Sequence, residues 1–255
     1  MPPATPRIQF AGVCKAFGGR AVLKGIDLAV MPGESLVIIG GSGTGKSVTL
    51  KCLLGLIPID SGSIMVDGEA VAGLTGAALD RHRTRIGMLF QGGALFDSLP
   101  VWRNISFAVP GSTAERRAAA IDNLARVGLA ADVADLKPAE LSGGMQKRVA
   151  LARAIAARPP IILFDEPTAG LDPITAAVIN RLIRTLVTDL AITAITITHD
   201  MTTVRTVADR VAMLHGGRII WQGALGELDG CDNAYVHQFI TGSADGPIRM
   251  PGART

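Results

Sequence analysis

Cysteine is scarce: Cys14, Cys52 and Cys231 are the only three in 255 residues, with no C-x-x-C spacing and no His/Cys cluster. That excludes a disulfide framework and gives no zinc site; the three read as small core residues of a reducing compartment. Long apolar runs are missing too, since none approaches the roughly 18 to 20 residues that span a bilayer. The first ten residues hold three prolines and no apolar stretch, so no secretory signal is expected there. Charge of one sign is equally thin: 25 Lys and Arg against 22 Asp and Glu leave +3. A nucleic-acid partner would need a basic stripe or patch, and none is expected. Charged residues make up only 18% and hydrophobic residues 48%, the reverse of a disordered chain, and the length is ample for a self-sufficient core. Mean hydropathy is +0.36; a buried subunit interface and an alanine-rich core explain it equally well.

Strand and helix patterns alternate along the chain, which predicts an α/β fold with a largely parallel sheet. Residues 8–15 and 21–31 alternate in polarity like an antiparallel pair around the turn Gly18-Gly19. Next comes the apolar run 35–39, a glycine loop, and a helical stretch over about 45–56. Residues 161–164 and 192–198 are apolar or β-branched runs of the kind found in interior strands. Between them Asp172 is a good N-cap with Pro173 at the first helical position, and apolar residues at 178, 182, 183, 186, 187 and 190 share one face. Residues 93–158 differ in character. There Ser112 and Glu115 form a capping box before a helix to about Val127, and the segment, ending at Pro159-Pro160, reads as a mainly helical insertion. From about Thr241 the chain is rich in Gly and Pro and is expected to trail across a surface or a neighbour.

Three stretches carry chemistry. Gly40, Gly41, Ser42, Gly43, Thr44, Gly45, Lys46 and Ser47 fit the phosphate-binding pattern G-x-x-x-x-G-K-[ST], directly after a strand and opening a helix that Val48 continues. The glycines let successive N–H groups surround phosphate oxygens, the helix N-terminus favours negative charge, Lys46 reaches the β- and γ-phosphates, and Ser47 ligates Mg²⁺. The apolar strand at 161–164 ends in Asp165 and Glu166. In isolation that pair fits a solvated strand end as well as a site. Beside a phosphate loop, Asp165 would hold the metal through its water shell and Glu166 would orient or deprotonate the attacking water. Leu141, Ser142, Gly143 and Gly144 open a further helix, where free N–H groups, the Ser142 hydroxyl and the helix dipole make a second anion site; alone, they would also fit an ordinary N-cap.

In this order the motifs resemble the nucleotide-binding subunit of ABC transporters, from about residue 7 to 240. Asp165 follows Lys46 too closely for the ABC-like chromosome and DNA-repair ATPases, whose coiled coils interrupt the domain. The resemblance implies a P-loop NTPase core of the RecA-like kind, over about 1–92 and 159–240, with an antiparallel β subdomain. It implies a helical subdomain inserted over about 93–158, and a tail over 241–255 outside the single domain of 1–240. It makes 141–146 the signature motif, with Met145 where many relatives have Gln. Gln91 becomes the loop glutamine that senses the γ-phosphate and Mg²⁺, His199 the switch histidine, and 169–172 the D-loop. Phe17 stands where the family places an adenine-stacking ring, although a core or turn Phe fits the segment as well. ATP and Mg²⁺ would lie between two copies in head-to-tail array. One would supply Lys46, Ser47, Gln91, Asp165, Glu166 and His199, its partner Ser142, Gly143 and Gly144.

Within that family, 90–99 and 101–104, with Gln-Gly-Gly-Ala-Leu-Phe-Asp-Ser at their centre, are similar to the ATPase of Mla-type lipid transporters. The Gly-Pro-Ile at 246–248 also suits that group, while Pro100 departs from the Thr expected there. This similarity implies phospholipid as substrate, and as partners an integral membrane permease, an MCE-type lipid-binding protein and a small regulatory subunit. It implies a peripheral place on the cytoplasmic face of a bacterial inner membrane. A small-solute ABC importer and a soluble, non-transport ABC ATPase of the iron–sulfur assembly kind remain as alternatives. A stand-alone P-loop kinase would leave Leu141 to Gly144 unexplained.

Overall fold

A computed structural model describes residues 5–249. The expectations for the first four residues and for the tail beyond Arg249 lie outside the described residues. The chain opens with β1 (Ile8–Phe17) and β2 (Arg20–Val30), antiparallel as their polarity alternation requires and turned by Gly18 and Gly19, both at positive φ. Then follow β3 (Ser35–Ile39) and α1 (Lys46–Leu53), the latter shorter than its sequence pattern because Gly55, at φ +63, turns the chain away. Next are β4 (Ser61–Val66), β5 (Glu69–Ala70), α2 (Gly76–Thr84) and β6 (Ile86–Leu89). The segment that follows holds α3 (Val101–Ile105), α4 (Thr113–Arg126), two short 3-10 turns and α5 (Gly143–Ala156), and no strand among the described residues. The capping box forms as expected, with the Ser112 N–H and hydroxyl both on the Glu115 carboxylate. The chain ends with β7 (Ile161–Asp165), α6 (Pro173–Asp189), β8 (Thr193–Ile197), α7 (Met201–Val207), β9 (Arg210–His215), β10 (Arg218–Ala224) and α8 (Ala234–Thr241).

Two sheets result. One is antiparallel, in the order β2-β1-β4-β5; the other runs β10-β9-β3-β8-β7-β6, parallel except at its β10 edge. All five residues of β3, β7 and β8 are buried, which explains their apolar and β-branched runs: a parallel strand covered on both faces has no solvent side to display. Successive residues of β3 then serve opposite cores. Leu36 and Ile38 pack with β1, β2 and α1, whereas Val37 and Ile39 pack with α5, α6 and α7. Gly87 lets α5 come against β6, because a Cβ there would collide with the Ala154 carbonyl. The described part of the tail folds back on α8. Gln238 donates to the carbonyls of Ser243 and Ile248 (3.2 and 3.1 Å) and accepts from the Ile248 N–H (2.7 Å).

Candidate active site

β3, β8 and β7 lie side by side, so the loops at their C-terminal ends converge, where open parallel sheets present their ligand crevice. The loop after β3 is the glycine-rich segment 40–47 that fits the phosphate-binding pattern. Gly40 (φ +151) has no room for a side chain against the Leu214 carbonyl, and at Gly45 (φ +109) a Cβ would reach within 2.8 Å of Leu23. The N-cap of α1, Gly45, offers no side chain to the first helical N–H groups, whereas α4, α5, α6, α7 and α8 are each capped by Ser, Asp or Asn. α2 and α3 also lack a side-chain cap, but only at α1 do the free donors follow a glycine loop at the C-terminal end of a parallel strand, the arrangement suited to an anion. Lys46 is buried to 8% exposure and donates to the carbonyls of Gly40 (2.7 Å) and Gly41 (2.9 Å). Burial lowers its pKa, opposed by the nearby charges of Glu166 and Asp165. Thr44 braces the loop through the Gly41 carbonyl (2.9 Å), Ser42 and Gly43 are exposed, and Val48 packs into the core between the sheets.

The strand tip of β7 brings its two carboxylates to this loop. Asp165 Oδ1 accepts from Ser47 Oγ at 3.5 Å, and its pKa is raised, first by burial and then by the neighbouring charge of Glu166. A hydroxyl and a carboxylate at that separation are hard oxygen donors, the set that suits Mg²⁺. Glu166 has φ +48, a left-handed conformation sparsely populated by non-glycine residues and retained where structure enforces it. Here its N–H is bonded to the Ile197 carbonyl (2.9 Å). Its carboxylate is gripped from both sides: Thr198 Oγ1 donates to Oε2 (3.2 Å) and His199 Nδ1 lies 3.0 Å from Oε1. Glu166 is 13% exposed and His199 68%, so the ring faces the open side of the site.

The remaining predicted residues are arranged around this centre without joining it. Gln91 follows β6 with its side chain exposed and its carbonyl held by Lys147 of α5. Phe17 is 45% exposed with Lys15 Nζ 5.4 Å from its ring, an available face rather than a core residue. Ser142 caps α5 by accepting from the Met145 N–H (3.3 Å); Gly143 is open to solvent and Gly144 abuts Thr175 of α6. No described hydrogen bond joins this glycine pair to the chain's own phosphate loop. Three contacts were not anticipated from sequence: Thr198 on Glu166, and Lys147 and Arg153 on the loop after β6. All three join segments far apart in the chain, so no local pattern marks them.

Away from the phosphate loop, an apolar groove of about 500 Å³ runs beside β6, with Leu54, Leu56, Met88, Phe90, Phe96 and Phe107 among its lining. Phe96 and Phe107 stack at 5.0 Å although both are exposed. Asn104, fully buried, fixes the stretch beside them by bonding Phe96 at both N–H and carbonyl and donating to the Leu99 carbonyl.

The family profile described as ABC transporter matches residues 23–169. The chain is 40% identical, over 95% of its length and 75% of the relative's, to TRIGALACTOSYLDIACYLGLYCEROL 3 of Arabidopsis thaliana chloroplasts. It is 38% identical, over 91% of its length and 87% of the relative's, to the intermembrane phospholipid transport system ATP-binding protein MlaF of Escherichia coli K12. With the methionine import ATP-binding protein MetN of Rhizobium johnstonii it shares 43% identity over 85% of its length and 60% of the relative's. Among solved structures, a dimeric ATP-binding cassette in a post-hydrolysis state with ADP and Pi superposes with a TM-score of 0.78, at 33% identity, covering 86% of this chain and 98% of the other. A glycine loop at the end of a doubly covered parallel strand and a mainly helical segment after β6 therefore stand in a chain that belongs to the ABC transporter family, as one of its ATP-hydrolysing cassettes.

Proposed function

We propose that this cassette powers a transporter of phospholipid between the membranes of a bacterial envelope. It works as two copies with two ATP molecules sandwiched between them, at the cytoplasmic face of the inner membrane. The observation that carries the reading is the conjunction of the 90–99 segment with the apolar groove: Phe90 and Phe96, from the stretch most similar to Mla-type ATPases, line a cleft suited to an apolar helix face of a permease. Near-full-length similarity to the E. coli phospholipid system supports the same substrate class. In this reading an MCE-type lipid-binding protein and a small regulatory subunit complete the assembly. A small-solute importer is the second reading, favoured by the 43% identity to MetN, but the chain spans only 60% of that protein against 87% of the E. coli one.

The chemistry follows from the site. Phe17 stacks on adenine; the amides at 41–48 and Lys46 hold the phosphates, where the free N–H groups of α1 and the lysine charge stabilise the transferring γ-phosphoryl. Mg²⁺ held by Ser47, Asp165 and Gln91 would supply further neutralisation of the phosphate oxygens. Glu166 orients a water for in-line attack and takes its proton, the bond to the ADP oxygen breaks, and Pi is formed. His199 exchanges the Glu166 carboxylate for the γ-phosphate when nucleotide arrives, and Gln91 reports the γ-phosphate to the groove. The partner's copy of the signature loop closes the site from outside, so ATP favours the closed pair and its hydrolysis reopens it.

The substrate reading is tested by purifying the tagged full-length chain from native membranes and identifying co-purifying proteins and lipids by mass spectrometry. A permease with an MCE-type protein and bound phospholipid is expected. A solute-binding protein with its permease would move the assignment to the importer, and recovery only as a soluble species would end the transporter reading.

A further inference from the structure

The helix that opens at the signature motif also grips the loop that carries Gln91. Lys147, five residues after Ser142, donates from Nζ to the Gln91 carbonyl. Arg153, near the other end of α5, donates from Nη2 to the Gly93 carbonyl (2.6 Å) and from Nη1 to the Ala94 carbonyl (2.7 Å). Three carbonyls within four residues are thus satisfied by two cations of one helix. Among the described residues neither cation has a carboxylate at ion-pair distance. Lys147 is only 7% exposed; burial lowers its pKa against the opposing charges of Asp165 and Glu166, and its described hydrogen bond goes to a backbone carbonyl, which holds that loop in place.

What it fixes is a loop under conformational demand. Gly93 (φ +74) closes a turn onto the Phe90 carbonyl (2.8 Å), and Ala94 follows at φ +50, where alanine is strained. The close approach permitted by Gly87 sets α5 against β6 and brings both cations within reach. The side chain of Gln91 stays exposed while its backbone is pinned.

We propose that Lys147 and Arg153 are positioning residues for ATP hydrolysis: by holding the backbone of 91–94 they aim the Gln91 amide, and they tie it mechanically to the signature end of the same helix. The proposal rests on the reading of Gln91 as the γ-phosphate sensor. A shift of α5, whose N-terminal glycines face the other copy in that reading, then moves both cations and with them Gln91, so occupancy of one site is felt at the other.

The test uses the full-length chain as Lys147→Met, Arg153→Met, Lys147→Arg, Gln91→Ala and the Lys147→Met/Gln91→Ala double variant. ATP turnover is read as kcat and KM, and hydrogen exchange is followed at the amides of 92–95. Lys147→Met is expected to lower kcat about 10-fold with KM within about 2-fold, the signature of losing an interaction that matters in the transition state. It also speeds exchange at 92–95 while leaving α4 and β7 unchanged, and Lys147→Arg restores most of both. In the double variant the second substitution costs less than about 2-fold, because residues acting through one another are non-additive. Unchanged exchange at 92–95 in both Met variants would remove the clamp, and multiplicative losses in the double variant would reduce the cations to packing support. Wild-type kcat in Gln91→Ala would overturn the sensor reading itself; the exchange data, which do not depend on that reading, tell the two failures apart.

Discussion

At the scale of single residues, Glu166 concentrates the chemistry. Its left-handed backbone and its two carboxylate contacts, to Thr198 and His199, hold the group at one orientation beside the phosphate loop. Glu166→Gln keeps the shape and removes the carboxylate proposed as the base. It is expected to retain ATP binding while lowering turnover by about 10²-fold or more, measured as nucleotide binding by fluorescence titration and as Pi release. Near-normal turnover would take the role of base away from Glu166. The sequence named this residue because an apolar strand ending in two carboxylates is a local pattern. Thr198 escaped notice because its contact spans two strands that lie far apart in the chain and adjoin only in the folded sheet.

At the scale of elements, α7 shows how a short helix is held next to the chemistry. It begins right after His199, and Asp200 caps it by accepting from the N–H groups of Thr202 (2.9 Å) and Thr203 (3.3 Å) and from Thr203 Oγ1 (2.7 Å). Burial pushes the Asp200 pKa up, but the Thr203 and Thr202 hydrogen bonds outweigh it and the net shift is downward. A depressed folded-state pKa means stability that is present above the unfolded value of about 4 and lost as pH falls through the folded one. Asp200→Ala is therefore expected to cost about 1 kcal/mol at pH 7 and less at pH 3, with Asp200→Asn keeping most of the cap. Urea unfolding at both pH values checks this; an equal cost at the two would show that the carboxylate charge contributes nothing. Legibility at this scale was uneven for a physical reason. Caps such as Asp172 and Ser112 are local and could be read directly, whereas the end of α1 depended on Gly55 turning the chain toward α2, where a Cβ would meet Leu79 at 2.8 Å.

For the whole molecule the decisive point is that no described hydrogen bond joins the loop at 141–144 to the chain's own glycine loop at 40–47. If the first serves the second only in another copy, ATP must drive association. Full-length Glu166→Gln is expected to sediment at twice the monomer mass with ATP and as a monomer with ADP. Adding Gly143→Arg, at a position where a side chain meets open space, should abolish the ATP-dependent dimer without unfolding the chain. A monomer under both nucleotides, by analytical ultracentrifugation, would refute the sandwich arrangement. The apolar groove belongs to this scale too, since its walls come from the turn after α1, the end of α2, β6, α5 and the segments around Phe96 and Phe107 and exist only once these are packed.

The sequence by itself determined the glycine loop after β3, the carboxylate pair at the end of β7, the Ser-capped turn that opens α5 and the strand and helix types. Each of these is written in adjacent residues, where backbone freedom, capping and apolar periodicity act within a few positions. Only the tertiary structure decided which face of β3 serves which core, that Thr198 and His199 grip Glu166, and that Lys147 and Arg153 hold the Gln91 loop. Those contacts join segments separated by tens of residues. What makes them is the order in which parallel strands stack and the close approach that a glycine such as Gly87 permits, neither of which leaves a mark on the neighbouring sequence.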